Sequence, residues 1–132
     1  MDCSLFWLKA PTSLIPDGAK IEIPFAEGGP VTVKRHDSAP LSGTVIFPIT
    51  SAQRNGLEDL RLVHFTEDDG SKYYYGTYTA YSGREVGCEF LTTQNFASFD
   101  LTPLRGAAAQ HKGLALFPRK LDGRYSALGR LD

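Results

Sequence analysis

Two acids and a base lie close together in the segment Gly56-Leu57-Glu58-Asp59-Leu60-Arg61. A carboxylate beside a guanidinium can bind a polar ligand or transfer a proton. The apolar run that follows predicts a strand, and side chains alternate between faces along a strand. We therefore expect Asp59 and Arg61 on one face, with Glu58 and Leu60 on the other. A surface ion pair beside a turn is the simpler interpretation, because exposed charge clusters are common and contribute little to stability.

The composition of the 132-residue chain is that of one globular domain, with 42% hydrophobic and 22% charged residues. A net charge of −1 argues against a broad basic face, so no nucleic-acid partner is expected. No apolar run approaches the ~18 residues of a membrane-spanning helix, so no membrane partner is expected. Residues 1–9 carry an acid where a signal peptide has bases, which favours a cytoplasmic location.

The positions that must hold these side chains are predicted to be short strands joined by turns, an all-β fold. Thirteen glycines, eight prolines and the absence of a long helical pattern support this fold class. Cys3 and Cys88 are far apart and are interpreted as buried free thiols, and no spacing of metal ligands predicts a metal site. Residues 20–25 and 31–34 are predicted to form a hairpin. Further strands are predicted over 44–49, 60–65, 72–81, 86–92, 99–101, 114–117 and 125–131.

An internal repeat relates two of the predicted hairpins. Their turns carry Asp69-Gly70 and Asp122-Gly123, which lie 53 residues apart. A period of this size, with about four short strands per unit, is typical of propeller blades. A propeller needs at least about four blades, and this chain holds about two and a half. We therefore expect a fragment, or a chain that needs partner material to close the ring.

Two motifs of the second half resemble a known enzyme family. Gly56-Leu57-Glu58-Asp59-Leu60-Arg61, followed by Tyr75-Gly76-Thr77-Tyr78-Thr79-Ala80-Tyr81, resembles the G-x-E-D-x-R and Y-x-x-Y-T-A-Y signature of glycoside hydrolase family 130. This family contains mannoside phosphorylases and related β-mannosidases. Leu60 stands where many members have proline, which leaves the local turn geometry open.

The resemblance continues to the end of the chain. Residues 91–96 resemble the T-x-D-F segment of the family, and residues 111–130 resemble its K-[ND]-x-x-L-F-P…G-[KR]-Y-x-x-L-x-R run. The likeness covers about residues 43–132, while residues 1–42 show only strand and turn patterns. It implies a five-bladed β-propeller with the site at its axis, of which residues 1–132 would form about two to two and a half blades.

The resemblance also implies a reaction and roles for individual residues. Asp59 matches the general acid that protonates the glycosidic oxygen while inorganic phosphate attacks the anomeric carbon from the opposite side. The products are then the inverted mannose 1-phosphate and the leaving sugar, with no cofactor beyond phosphate as co-substrate. Lys112 and Arg130 match basic positions that hold the phosphate. Polar positions near the sugar are implied for Glu58, Arg61 and Asp132.

The chemistry of the residues is compatible with these roles. An inverting displacement needs one proton donor and a nucleophile on the opposite face. A phosphate nucleophile needs fixed cations rather than a second carboxylate. Lys112 and Arg130 lie on either side of one predicted hairpin and could converge, although solvated surface charge is the ordinary role of such side chains. A β-mannosidase that uses water, and a non-catalytic sugar-binding or inactive truncated chain, remain alternatives. The oligomeric state, including a homo-oligomer, is left open.

Aromatic and basic residues elsewhere in the chain have simpler expected roles. The tyrosines at 73–75, with Tyr78 and Tyr81, can stack on sugar rings, since aromatic faces suit the apolar faces of sugars. Ordinary strand packing is preferred for the first and third tyrosines of the triplet. Arg119 and Lys120 precede a turn and are expected to be solvated.

Overall fold

The computed structural model of the protein describes residues 30–106, 109 and 112–129. Several sequence predictions therefore lie outside the described residues. They are the strand at 20–25 with its hairpin partner contact, the thiol of Cys3, and the site residues Arg130 and Asp132.

The described chain contains seven β-strands and two short 3₁₀ helices, at Leu41–Gly43 and Ser51–Gln53. An antiparallel five-stranded sheet has the order β1-β5-β4-β3-β2, and β6 pairs with β7 in a separate two-stranded sheet. Both sheets are open, and the described residues include no α-helix, so the all-β prediction is confirmed at this level. The strands are β1 (Val31–Lys34), β2 (Gly56–Thr66), β3 (Lys72–Tyr81), β4 (Val86–Thr93), β5 (Ser98–Pro103), β6 (Ala115–Leu116) and β7 (Ala127–Leu128).

The turn between β2 and β3 forms where the Asp-Gly pair predicts it. Gly70 has a φ of +84°, a conformation that glycine adopts without the strain that a Cβ would cause. The Asp69 carboxylate accepts hydrogen bonds from the Ser71 amide at 2.9 Å and from its hydroxyl at 2.6 Å. These local contacts fix the register of the two longest strands of the sheet.

Several strand predictions differ from the structure. Within the described residues, the strand expected at 114–117 is only β6 and the strand expected at 125–131 is only β7. Residues 44–49 form no strand, because Pro48 lacks an N–H and the Gln53 side chain accepts the Ile49 amide at 2.9 Å. The strand at 31–34 is present, and it pairs with β5, placing Val31 opposite Leu101. The sheet therefore gains a fifth strand at the β5 edge.

One face of the sheet carries the main hydrophobic core. Its centre is formed by the buried side chains of Tyr78, Leu91, Phe99 and Leu101. Gln53, which is fully buried, joins this face to the preceding loop, since its side chain accepts the Ile49 amide and donates to Glu89. Partly buried hydrophobic residues surround the centre: Val31, Val33, Ile46, Ile49, Leu57, Leu60 and Phe96.

The opposite face is partly covered by the segment formed by residues 112–129, which contains β6 and β7. The hydroxyl of Thr77 in β3 donates a hydrogen bond to the carbonyl of Leu114. Phe65 is fully buried, and its ring lies 5.1 Å from that of Tyr75 and 5.4 Å from that of Tyr125. Both faces of the sheet are thus packed by other parts of the chain.

Cys88 is a buried free thiol, and burial raises its pKa. Within residues 30–106, 109 and 112–129, no helix is long and apolar enough to cross a bilayer.

Candidate functional site

A β-bulge interrupts β2 in the middle of the acidic motif. Glu58 lies opposite Thr79, but the next paired residue, Arg61, lies opposite Thr77. Two residues of β2 therefore face one residue of β3, which defines the bulge. Asp59 adopts a left-handed backbone with a φ of +59°, which aspartate tolerates better than most residues. Bulges are common beside active sites because they redirect a side chain.

The bulge changes which side chains share a face. Paired residues of antiparallel strands point to the same side, so Glu58 and Arg61 lie together over the face that carries Thr77 and Thr79. The expectation that Asp59 and Arg61 share one face, set by simple alternation, is therefore wrong. The acidic motif also lies within β2 rather than in a loop before it.

Leu60 turns to the core on the other side of the sheet. A Cβ on Gly76 would lie 2.7 Å from Leu60 Cδ1 and 3.1 Å from Leu62 Cδ1. The missing side chain at residue 76 therefore gives both leucines the space that they occupy. Leu60 packs against the core cluster that contains Tyr78, and this contact holds the bulge against the core face of the sheet.

Glu58 and Lys112 form an ion pair across the site. Lys112 Nζ donates to Glu58 Oε1 at 3.0 Å, and the side chains are 37% and 42% exposed, respectively. An exposed pair of this kind contributes about 0–1 kcal/mol to stability. The ion pair brings together two residues that lie 54 positions apart in the sequence. Lys112, which the resemblance assigns to the phosphate site, therefore lies next to the acidic motif.

Arg61 extends from the same face toward the beginning of the covering segment. Its Nη2 lies 3.2 Å from the position that a Cβ of Gly113 would occupy. Gly113 has a φ of +73°, so both its backbone and the close guanidinium favour glycine there. Arg61 and Lys112 consequently place two cations at the start of the covering segment, of which Lys112 pairs with Glu58.

Asp59 is exposed at the bulge and lines a cavity of about 500 Å³. Glu58 also contributes to the lining, which is otherwise mostly apolar and belongs to the core face of the sheet, whereas Lys112 does not. The acid and the cation thus approach the bulge from different sides. A ligand that contacts both would have to lie at the edge of the sheet formed by β2.

The remaining predicted site residues have no described position. Arg130 and Asp132 lie outside the described residues, so only Lys112 of the proposed phosphate-binding pair can be placed. Among residues that are described, no three His, Cys, Asp or Glu side chains are grouped so that they could hold a metal ion.

A second polar cluster, which sequence reasoning missed, joins the β2–β3 turn to the covering segment. Glu67 Oε1 accepts hydrogen bonds from the hydroxyls of Tyr75 and Tyr125, each at 2.7 Å. Lys120 Nζ lies 3.1 Å from Glu67 Oε2 and 2.7 Å from Asp68 Oδ2. The expectation that Lys120 is solvated is wrong, since its side chain is only 19% exposed. The ammonium also lies 5.0 Å from the centre of the Tyr125 ring.

This cluster shifts the ionisation of its own members. The hydroxyl of Tyr125, followed by that of Tyr75 and by Lys120, lowers the pKa of the Glu67 carboxyl below its ordinary value of 4.5. Hydrogen bonds to Asp68 and then to Glu67 raise the pKa of Lys120 above its ordinary value of 10.5. Both groups are thus held in their charged forms by the folded chain.

The stability of the protein is expected to depend on pH through this cluster. Because the pKa of Glu67 is lowered on folding, its contribution is present above pH 4.5 and is lost as the pH falls through the folded-state pKa. Because the pKa of Lys120 is raised, its contribution is present below pH 10.5 and is lost as the pH rises further. Thermal melts from pH 3 to 7 should show a flatter acid limb for Glu67→Gln than for the unsubstituted protein. Glu85→Gln, at an exposed position, is the control and should retain the original slope; equal slopes in all three proteins would contradict the prediction.

Comparison with protein-family models, with curated proteins and with solved structures finds no match for this chain. The family resemblance therefore rests on the sequence motifs described above. A functional proposal has to be argued from the geometry of the site, because a fold alone does not define an activity.

Proposed function

We propose that the chain belongs to a carbohydrate-active enzyme that cleaves β-mannosides by inverting phosphorolysis and releases mannose 1-phosphate. Asp59 acts as the general acid and inorganic phosphate as the nucleophile. The single observation that supports this most is the contact between Glu58 and Lys112 beside the bulge. These residues come from the first and last of the family-like motifs, and they meet in space although 54 positions separate them.

The geometry at Asp59 suits a proton donor to a bound ligand. The carboxyl is exposed, and no described residue makes a hydrogen bond or an ion pair with it. Asp59 adopts the left-handed backbone conformation, which residues other than glycine rarely adopt. Non-glycine residues in this conformation cluster at functional sites. The carboxyl is therefore available to a glycosidic oxygen, directly or through a sugar hydroxyl.

The cations at the start of the covering segment suit an oxyanion. Lys112 carries three N–H donors and uses one of them for Glu58, which leaves two for phosphate oxygens. The guanidinium of Arg61 lies close to Gly113 on the same side, where its planar fork could bind a second pair of oxygens. This arrangement would aim a dianion at the anomeric carbon, which is the role that phosphorolysis requires.

The topology is compatible with a propeller blade. Strands β2 to β5 form a consecutive antiparallel meander of four, which is the usual content of one blade. The bulge lies on the first strand of this meander, and the covering segment packs on one face as a neighbouring blade would. A five-bladed ring would require further blades in addition to the one that this sheet would form.

Lys112→Ala is expected to raise the KM for phosphate roughly 10–100-fold, the effect of losing one charge-assisted contact, with a smaller change in kcat. Initial rates of mannose 1-phosphate formation from a β-mannoside, measured at a series of phosphate concentrations, give both constants. Lys72→Ala, at an exposed lysine on β3, is the matched control.

The same assay separates the alternative functions. An unchanged phosphate KM in Lys112→Ala would remove this residue from the phosphate site. Release of free mannose at the same rate without phosphate would identify a β-mannosidase. Binding of mannosides without turnover under either condition would indicate a sugar-binding module.

A further inference from the structure

The segment 112–129 contacts the five-stranded sheet at two separate ends. At the near end, Lys112 bonds to Glu58 and the Leu114 carbonyl accepts from Thr77. At the far end, Lys120 and Tyr125 both bond to Glu67. The position of Lys112 therefore depends on how the whole segment is seated.

The two ends are mechanically connected, because the segment is itself a hairpin. β6 pairs with β7, and the amide of Phe117 donates to the carbonyl of Ser126 at 2.9 Å. The turn beyond these bonds is closed by reciprocal backbone hydrogen bonds between Leu121 and Arg124, at 2.9 and 3.0 Å. A paired hairpin moves largely as a unit, so release at one end changes the seating of the other.

The far end depends on one carboxylate. Glu67 lies at the end of the β2–β3 hairpin, and one of its oxygens accepts from a tyrosine of the sheet and from a tyrosine of the segment. Its other oxygen faces the ammonium of Lys120. A glutamine at this position could not satisfy the same set of contacts. In one orientation of the amide, its N–H₂ group would face the ammonium of Lys120. In the other orientation, the N–H₂ group would face the two tyrosine hydroxyls, which would then have to accept hydrogen bonds instead of donating them.

We infer that Glu67 is a positioning residue, which seats the segment 112–129 on the sheet and thereby holds Lys112 against Glu58. The inference rests on the proposed function in so far as Lys112 binds phosphate. Glu67 itself bonds to Lys120 and Tyr125 at the far end of the segment, away from the contact between Lys112 and Glu58. Its loss acts on catalysis only through the lysine.

The direct test measures the seating of Lys112 without using activity. The intact protein is treated with a limiting amount of an amine-acylating reagent, and the rate of modification at each lysine is followed by mass spectrometry. In Glu67→Gln, modification of Lys112 is expected to accelerate by up to about fivefold, the factor for losing an exposed ion pair, while Lys72 reacts as before. Asp69→Asn is the matched control, because its carboxylate lies in the same turn and its hydrogen bonds within the described part of the chain go to Ser71.

A second variant provides the same test if Glu67→Gln folds poorly. Tyr125→Phe removes one hydroxyl bond to Glu67 and retains the ring that packs on Phe65. Its effect on Lys112 is expected in the same direction and to be smaller. An unchanged rate at Lys112 in both variants, or equal acceleration at every lysine, would overturn the inference.

Kinetics then distinguish the inference from the proposed function. In an active enzyme, Glu67→Gln should raise the KM for phosphate and leave kcat much less affected, as Lys112→Ala does. A fall in kcat at unchanged phosphate KM would overturn the positioning role. If the unsubstituted protein shows no phosphorolysis, the proposed function fails, and the acylation rates still decide whether Glu67 seats the segment.

Discussion

Asp59→Asn is expected to lower the rate of phosphorolysis by roughly 10²–10⁴-fold, the usual contribution of a general acid. The amide has the shape of the carboxyl and has no acidic proton to deliver to the leaving oxygen. Asparagine also tolerates the left-handed backbone that Asp59 adopts at a φ of +59°, so the bulge should persist. The measurement is kcat for mannose 1-phosphate formation, together with a thermal melt.

Asp122→Asn is the control for this substitution. Asp122 also has a left-handed backbone, with a φ of +49°, and lies exposed in the turn of the covering segment. It should melt like the unsubstituted protein and retain its activity. Full turnover in Asp59→Asn would remove the residue from its role as acid. A loss of the folded state in Asp59→Asn alone would show that the carboxyl is needed for the bulge rather than for the reaction.

Local chemistry made the hairpins predictable from sequence. The strand at 72–81 has the predicted bounds, and the turn at Asp69-Gly70 forms as expected. Both depend on local residue types: β3 is rich in Tyr and Thr, which favour strands, and the turn has a glycine where φ must be positive. The strand at 44–49 does not form because Pro48 lacks an N–H and the side chain of Gln53, four residues after Ile49, accepts the amide that a strand partner would have used.

The bulge was missed, although the sequence holds a signal for it. Leu57 and Leu60 both pack against the core, yet they are three positions apart, and simple alternation puts residues three apart on opposite faces. One extra residue must therefore lie between them, which is the definition of a bulge. Read in this way, the apolar spacing would have placed Glu58 and Arg61 together.

The cluster at Glu67 had no comparable signal. Lys120 lies beside Arg119 in a turn, and nothing in its neighbourhood distinguishes it from a solvated residue. Its partner lies in another turn of the chain, and only the packing of the two hairpins brings them together. Contacts of this kind follow from tertiary structure, so the repeat of two Asp-Gly hairpins could indicate their similarity but not their mutual contact.

Gln53→Leu is expected to reduce the free energy of unfolding by roughly 3 kcal/mol or more, because each buried polar group left without a partner costs about 1–3 kcal/mol. Gln53 is 0% exposed, and its Oε1 accepts the amides of Ile49 at 2.9 Å and Thr50 at 3.4 Å. Its Nε2 donates to Glu89 Oε2 at 2.5 Å and to the Tyr78 hydroxyl at 3.2 Å. Leucine has similar bulk and can make none of these bonds, so two backbone donors and a buried carboxylate lose a partner together.

Urea unfolding of three variants separates this network from general effects of the substitution. Gln94→Leu makes the same change at an exposed position and should be nearly neutral. Tyr78→Phe removes one hydroxyl from the network and should cost about 1–2 kcal/mol. Equal stability of Gln53→Leu and Gln94→Leu would contradict the prediction.

The network also reaches the candidate site. Tyr78 is the residue of β3 that faces the two bulged residues, and its hydroxyl is fixed by Glu89 as well as by Gln53. Without the hydrogen bond from Gln53, the side chain of Tyr78 would be held less firmly, and the core would hold the bulge in place less well. Gln53→Leu should therefore lower kcat under conditions where the protein remains folded, whereas an equally destabilising change at Phe65, remote from the bulge, should leave kcat nearer its original value.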